Sequence, residues 1–95
     1  MITPMGISVK LLNKILEELN QRGIYAERHS YSIRMMFKGR FVASLHLYPG
    51  FNQGVLRVYG DSEEINQSIV NVVGELLNKY LKELELIVER KHLVY

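Results

Sequence analysis

Four short runs between Ile24 and Tyr59 alternate apolar and polar residues with a period of two, separated by tight turn signals. Ile24 and Ala26 alternate with Tyr25 and Glu27, and Ile33, Met35 and Phe37 alternate with Arg34, Met36 and Lys38. Phe41, Ala43, Leu45 and Leu47 alternate with Val42, Ser44, His46 and Tyr48, and Leu56 and Val58 with Arg57 and Tyr59. Period two sends successive side chains to opposite faces, so each run reads as a half-buried strand. Lys38-Gly39-Arg40 is short enough for a tight hairpin, Pro49 to Gly54 makes a longer turn, and His29 to Ser32 supplies the third connection. The expectation is an antiparallel meander of four strands, with Phe41 in the core and Val42 facing solvent.

Helical periodicity flanks this block. Ser8 suits an N-cap, Val9, Leu12, Ile15, Leu16 and Leu19 recur at three-and-four spacing, and Gly23 suits a C-cap, giving a helix from about Ser8 to Arg22. Asp61 with Glu64 three residues later matches a capping box and opens a second helix. Ile65, Ile69, Val72, Leu76, Tyr80 and Ile87 form one apolar stripe, and Val70, Val73, Leu77, Leu81, Leu84 and Val88 a second. A helix running to Arg90 would span about 45 Å, whereas strands of five to eight residues span about 17 to 27 Å. Its far end would overhang the sheet, so Leu77, Leu81, Leu84 and Val88 are expected to bury against a second copy in a homodimer. Alternatively the helix stops near Glu83 and Leu84 to Tyr95 turn into an extra strand. Gly74, costly inside a helix, marks a close contact or a bend.

The predicted fold class is therefore α+β: helix, four-stranded antiparallel meander sheet, long C-terminal helix, both helices on one face, with residues 1–95 as a single domain. The 95 residues and 11.1 kDa suffice to bury roughly 65% of the unfolded chain's surface. No cysteine is present, which excludes disulfides and thiolate metal sites and favours a reducing compartment. The N-terminal stretch MITPMGISVKLL lacks the basic and apolar regions of a signal peptide, and no run reaches membrane-span length, so a cytoplasmic location is expected.

Charge is unevenly placed. Residues 24–59 carry Arg28, Arg34, Lys38, Arg40 and Arg57 against Glu27, a net +4, while Asp61 and the six glutamates beyond it outweigh Lys79, Lys82, Arg90 and Lys91 to give −3. Two helices cover only one face of a sheet, which leaves the other solvated or ligand-bound. On that open face alternation places Tyr25, Arg34, Lys38, His46, Tyr48, Arg57 and Tyr59. Aromatic rings and guanidinium planes stack on unpaired bases, while cations neutralise phosphates. These seven residues are therefore the candidate nucleic-acid contacts, with single strands preferred over duplex. Another protein is the alternative partner for the same face.

Catalysis finds little support. His46 could act as a base beside Ser44 or Tyr48, but no acid of matching strand parity orients it, and His29, His46 and His92 do not cluster at metal-ligand spacing. No phosphate loop or nucleophile motif occurs. A non-enzymatic protein is expected, with no cofactor, metal, membrane contact or small-molecule substrate. Phe51, on the Pro49 to Gly54 turn, reads as an exposed contact residue or a lid over the core edge.

Overall fold

The computed structural model describes residues 7–91. The order is α1 (Val9–Gln21), β1 (Tyr25–His29), β2 (Ser32–Phe37), β3 (Arg40–Tyr48), a 3-10 turn (Pro49–Phe51), β4 (Gln53–Val58), α2 (Glu63–Tyr80) and β5 (Glu85–Arg90). The α+β class stands.

Local chemistry sets the ends of α1. The Ser8 side chain accepts from the Lys10 amide at 3.2 Å. At the other end Gly23 adopts φ +82°, the Ile24 amide reaches back to Leu19 O at 2.9 Å and the Gly23 amide to Asn20 O at 3.1 Å. That pair of bonds is a Schellman motif, which needs the left-handed residue that glycine supplies. Lys38 (φ 51°) and Gly39 (φ 78°) both lie in the left-handed region. Such a two-residue turn matches the twist of the strands it joins, and Phe37 pairs with Arg40 across it.

The sheet has five strands in the order β1-β2-β3-β4-β5. The first four pair antiparallel as expected, but β5 lies parallel to β4. The predicted long helix is thus corrected: α2 ends at Tyr80, and Glu85–Arg90 return alongside β4. The extra-strand alternative is the one realised over those residues, while His92 to Tyr95 lie outside the described residues. β4 would otherwise leave a row of amides and carbonyls unpaired along that side, and β5 satisfies them. A Cβ at Gly74 would meet Leu86 at 3.8 Å, an ordinary packing distance, so no close approach requires glycine there. The N-cap of α2 is Ser62, whose side chain accepts from the Ile65 amide at 3.2 Å. Asp61 instead pairs with Arg40.

Both helices serve one core. α1 packs on β1, α2 on β4 and β5, and the helices touch each other. Leu12, Ile15 and Leu19 meet Ile33, Met35, Ala43, Leu45, Leu47, Leu56 and Val58 from the sheet and Ile69, Val73, Leu76 and Leu77 from α2. The double apolar stripe is consumed within the subunit. Leu77 and Leu81 are buried in the chain's own core, while Leu84 and Val88 pack half-buried against it. The overhang from which a homodimer through Leu77, Leu81, Leu84 and Val88 was inferred therefore does not exist. A charged network also ties the helices: Glu18 takes hydrogen bonds from Lys79 (2.8 Å) and from Tyr80, and Arg22 donates to Glu75 at 2.9 Å. These partners hold the Glu18 carboxyl below its ordinary range, Lys79 first and Tyr80 next.

One register shift reverses an expected orientation. Met35 pairs with Ala43 but Met36 pairs with Phe41, so Val42 is an extra residue in β3. A bulge places two residues opposite one and breaks the alternation locally. Val42 is consequently buried, whereas Phe41 lies half-buried on the opposite face against Tyr59.

Candidate nucleic-acid interface

Residues paired across neighbouring strands share a face, so the register lays out the open side of the sheet in rows. The first row lies at the β2–β3 hairpin end and runs Tyr25, Met36, Phe41, ending on Tyr59. Tyr59 is placed by its amide, which donates to Val42 O at 2.7 Å. Its ring centroid lies 5.0 Å from that of Phe41 with the planes tilted by 38°. The next row is Glu27, Arg34, Ser44, Arg57, Glu89. From it the Arg34 guanidinium reaches over the Phe41 ring, 5.4 Å from the centroid. Tyr25 is 56% exposed at the edge of the row. An aromatic and methionine strip thus crosses the end of the sheet with an arginine stacked on it.

Around the corner the hairpin adds charge. Lys38 Nζ sits 5.3 Å from the Phe37 ring centroid. A groove of about 640 Å³ runs between the hairpin and the segment entering α2, lined by Phe37, Lys38, Arg40, Phe41, Tyr59 and Asp61. Arg40 is held by Asp61. Neither Arg34 nor Lys38 has a carboxylate ion-pair partner among the described residues, so both remain available to an anion.

Of the seven expected contacts, Tyr25, Arg34, Lys38 and Tyr59 are therefore gathered at one end. Arg57 is nearby but committed, donating from Nε to Glu89 at 2.8 Å. His46 and Tyr48 belong to rows farther along β3; Tyr48 lies seven positions beyond Phe41, roughly 23 Å along an extended strand. His46 shares a hydrogen bond with Ser32 at 2.8 Å. Burial first, and the neighbouring Arg57 charge second, push its imidazole below the ordinary value of 6.5. Both effects disfavour the charged ring, which makes it a poor counter-charge to phosphate. The Ser32–His46 pair has no carboxylate behind the ring among the described residues and lies outside the groove, so it lacks the orienting partner of a nucleophilic dyad.

Three members of this site are not among the seven expected contacts: Met36, Phe41 and Arg40. Alternation alone puts Phe41 in the core and Met36 on the open face without marking it as a contact, and nothing in the pattern singles out Arg40. The turn contained the missing signal: a two-residue Lys38-Gly39 link forces Met36 opposite Phe41, hence onto one face. Only a bulge reconciles that with Met35 and Ala43 both pointing inward.

The structure also reveals charge that the strand block alone did not. β5 adds Glu85 and Glu89 to the open face, beside Gln53 and Arg57. Phe51 is 76% exposed at the far end, so it does not close over the core edge as a lid. Among the described residues no three metal-ligating side chains cluster, and no helix is long and apolar enough to cross a membrane. Comparison with known protein families, with curated proteins and with solved structures finds no match.

Proposed function

We propose that this protein binds single-stranded nucleic acid without catalysing a reaction, through the hairpin end of its open sheet face. The observation that carries the reading is the strip of Tyr25, Met36, Phe41 and Tyr59, bordered by the unneutralised cations Arg34 and Lys38. Stacking on such a strip requires exposed bases, which single strands offer and a duplex hides. Arg34 extends the stacking surface, and Lys38 and Arg34 neutralise phosphates on either side. His46 and Tyr48 are left out of the contact set, and Arg57 enters it only when released from Glu89.

The test is fluorescence anisotropy with a labelled single-stranded oligonucleotide and its duplex, at about 50 mM salt and tens of micromolar protein, where phosphate contacts are strong. Preferential single-strand binding, with a salt slope reduced in Arg34→Ala/Lys38→Ala, is expected. Absence of binding to either oligonucleotide, or an unchanged affinity in that double variant, rejects the reading.

A second reading has its own support. The far rows of the same face carry half-buried Val55 and Ile87, exposed Tyr48 and a balanced set of charges, which suits a protein partner with an apolar centre and a polar rim. Binding of that kind would not weaken steeply with salt.

A further inference from the structure

The two edges of the sheet differ in how they meet solvent. β1 ends the sheet with the charged pair Glu27 and Arg28, which discourages pairing with another strand. β5 ends it with Glu85-Leu86-Ile87-Val88-Glu89-Arg90, three consecutive apolar residues, all half-buried, and no proline. Among the described residues no strand pairs with the outer side of β5. The direction of its peptide groups follows from its internal bonds. The Glu85 amide donates inward to Asn52 O at 2.8 Å and the Lys91 amide inward to Val58 O at 2.9 Å. Peptide groups alternate between the two sides of a strand, so Leu86, Val88 and Arg90 aim both N–H and C=O at the open edge.

We propose that β5 pairs antiparallel with β5 of a second copy of this chain, about a two-fold axis perpendicular to the sheet and centred on Val88. The register follows from matching bonds and charges. A two-fold axis of this kind sets residues opposite one another only when they lie on the same face, which limits the centre to a residue rather than a gap. Centred on Val88, every outward peptide group finds a partner: Val88 opposes Val88 of the partner subunit, and Leu86 opposes the partner's Arg90. On the open face Glu85 then opposes the partner's Lys91, once on each side of the axis. Centring on Ile87 instead would set Glu85 against the partner's Glu89, like charges directly opposite, and would leave Arg90 without a bonding partner. The self-complementary register selects a second copy as the occupant. The sheet becomes continuous across the axis, and both aromatic strips face the same way, although the pairing does not depend on their binding nucleic acid. Of the residues first expected at a dimer contact, Val88 takes part, by an edge rather than a helix.

Sedimentation equilibrium at about 1 to 100 µM protein tests the pairing. The wild-type chain is expected to sediment as a species of twice 11.1 kDa at the upper end of that range. Val88→Pro removes an outward amide without touching the bonds to β4 and should yield monomers with an unchanged circular dichroism spectrum. Because Val88 also packs on the core, the exposed charges provide a second arm that spares the fold. Glu85→Lys and Lys91→Glu should each loosen the dimer by roughly tenfold, and the double reversal should restore it. A wild-type monomer throughout that range, or a dimer indifferent to the single charge reversals, overturns the proposal.

Discussion

The two faces of the sheet are made by the same strands and behave as different materials. On the helix side Ile33, Met35, Ala43, Leu45, Leu56 and Val58 are all sealed from solvent. On the other side, one residue along in each strand, stand Arg34, Met36, Arg57 and Tyr59, with Ser44 covered between its neighbours. The first set answers to packing, where a lost methylene leaves a cavity. The second answers to stacking and charge at a water-exposed surface. Substitutions on the two faces should therefore separate stability from binding.

Leu45→Ala should show the largest effect, a loss of about 2 to 5 kcal/mol in denaturant unfolding, with oligonucleotide affinity unchanged for the folded fraction. A cost below about 1 kcal/mol would mean that the sealed face is loosely packed. Phe41→Ala sharpens the contrast because the bulge moves this ring off the core. Its unfolding cost should fall below the roughly 3 to 5 kcal/mol of a fully buried phenylalanine, and binding should be lost with it. A full core penalty without any binding defect would put Phe41 back under the helices.

Tyr25→Ala should leave unfolding within about 0.5 kcal/mol of wild type and weaken single-strand binding by about 1 to 3 kcal/mol with little change in salt slope. Tyr48→Ala, on the same face but at the other end, should leave binding intact; equal losses in the two variants would spread the site over the whole sheet. Glu89→Gln releases Arg57, so anisotropy titrations should show severalfold tighter binding and a steeper salt dependence. The smallest effect concerns His46. Its folded pKa lies below the unfolded value of 6.5, so the unfolded chain binds the proton more readily. Stability should fall as pH drops below about 6.5 and level off beneath the folded pKa. Melting temperatures of His46→Gln across pH 5 to 7 should lack that component, and a wild-type profile with no such slope would show that the ring titrates normally.

Much of this architecture was legible because its signals are local. The caps at Ser8 and Gly23, the Lys38-Gly39 turn and the strict alternation in β2 and β4 depend on residues a few positions apart. Phe41 was misplaced where a local rule met a non-local one: parity runs along a strand, but the bulge arises from pairing between two strands. The interface was read in part for the same reason. Face membership of Tyr25, Arg34 and Tyr59 follows from alternation, whereas the neutralisation of Arg57 depends on a strand that had been read as helix.

What the sequence by itself determined is the set of surfaces: which residues of the first four strands seek burial, apart from Phe41 and Val42 at the bulge, where α1 begins and ends, and that one sheet face stays uncovered. Only the tertiary structure decided the fate of residues 81–90. Leu81, Leu84 and Val88 satisfy helical spacing, and Leu86-Ile87-Val88 equally satisfies the continuous apolar run of a parallel strand. Local preference does not separate these, because each conformation hydrogen-bonds its own backbone and buries similar side chains. The open side of β4 does, since a returning strand satisfies two rows of peptide groups at once, while a protruding helix would leave β4 unpaired and its own apolar end in water.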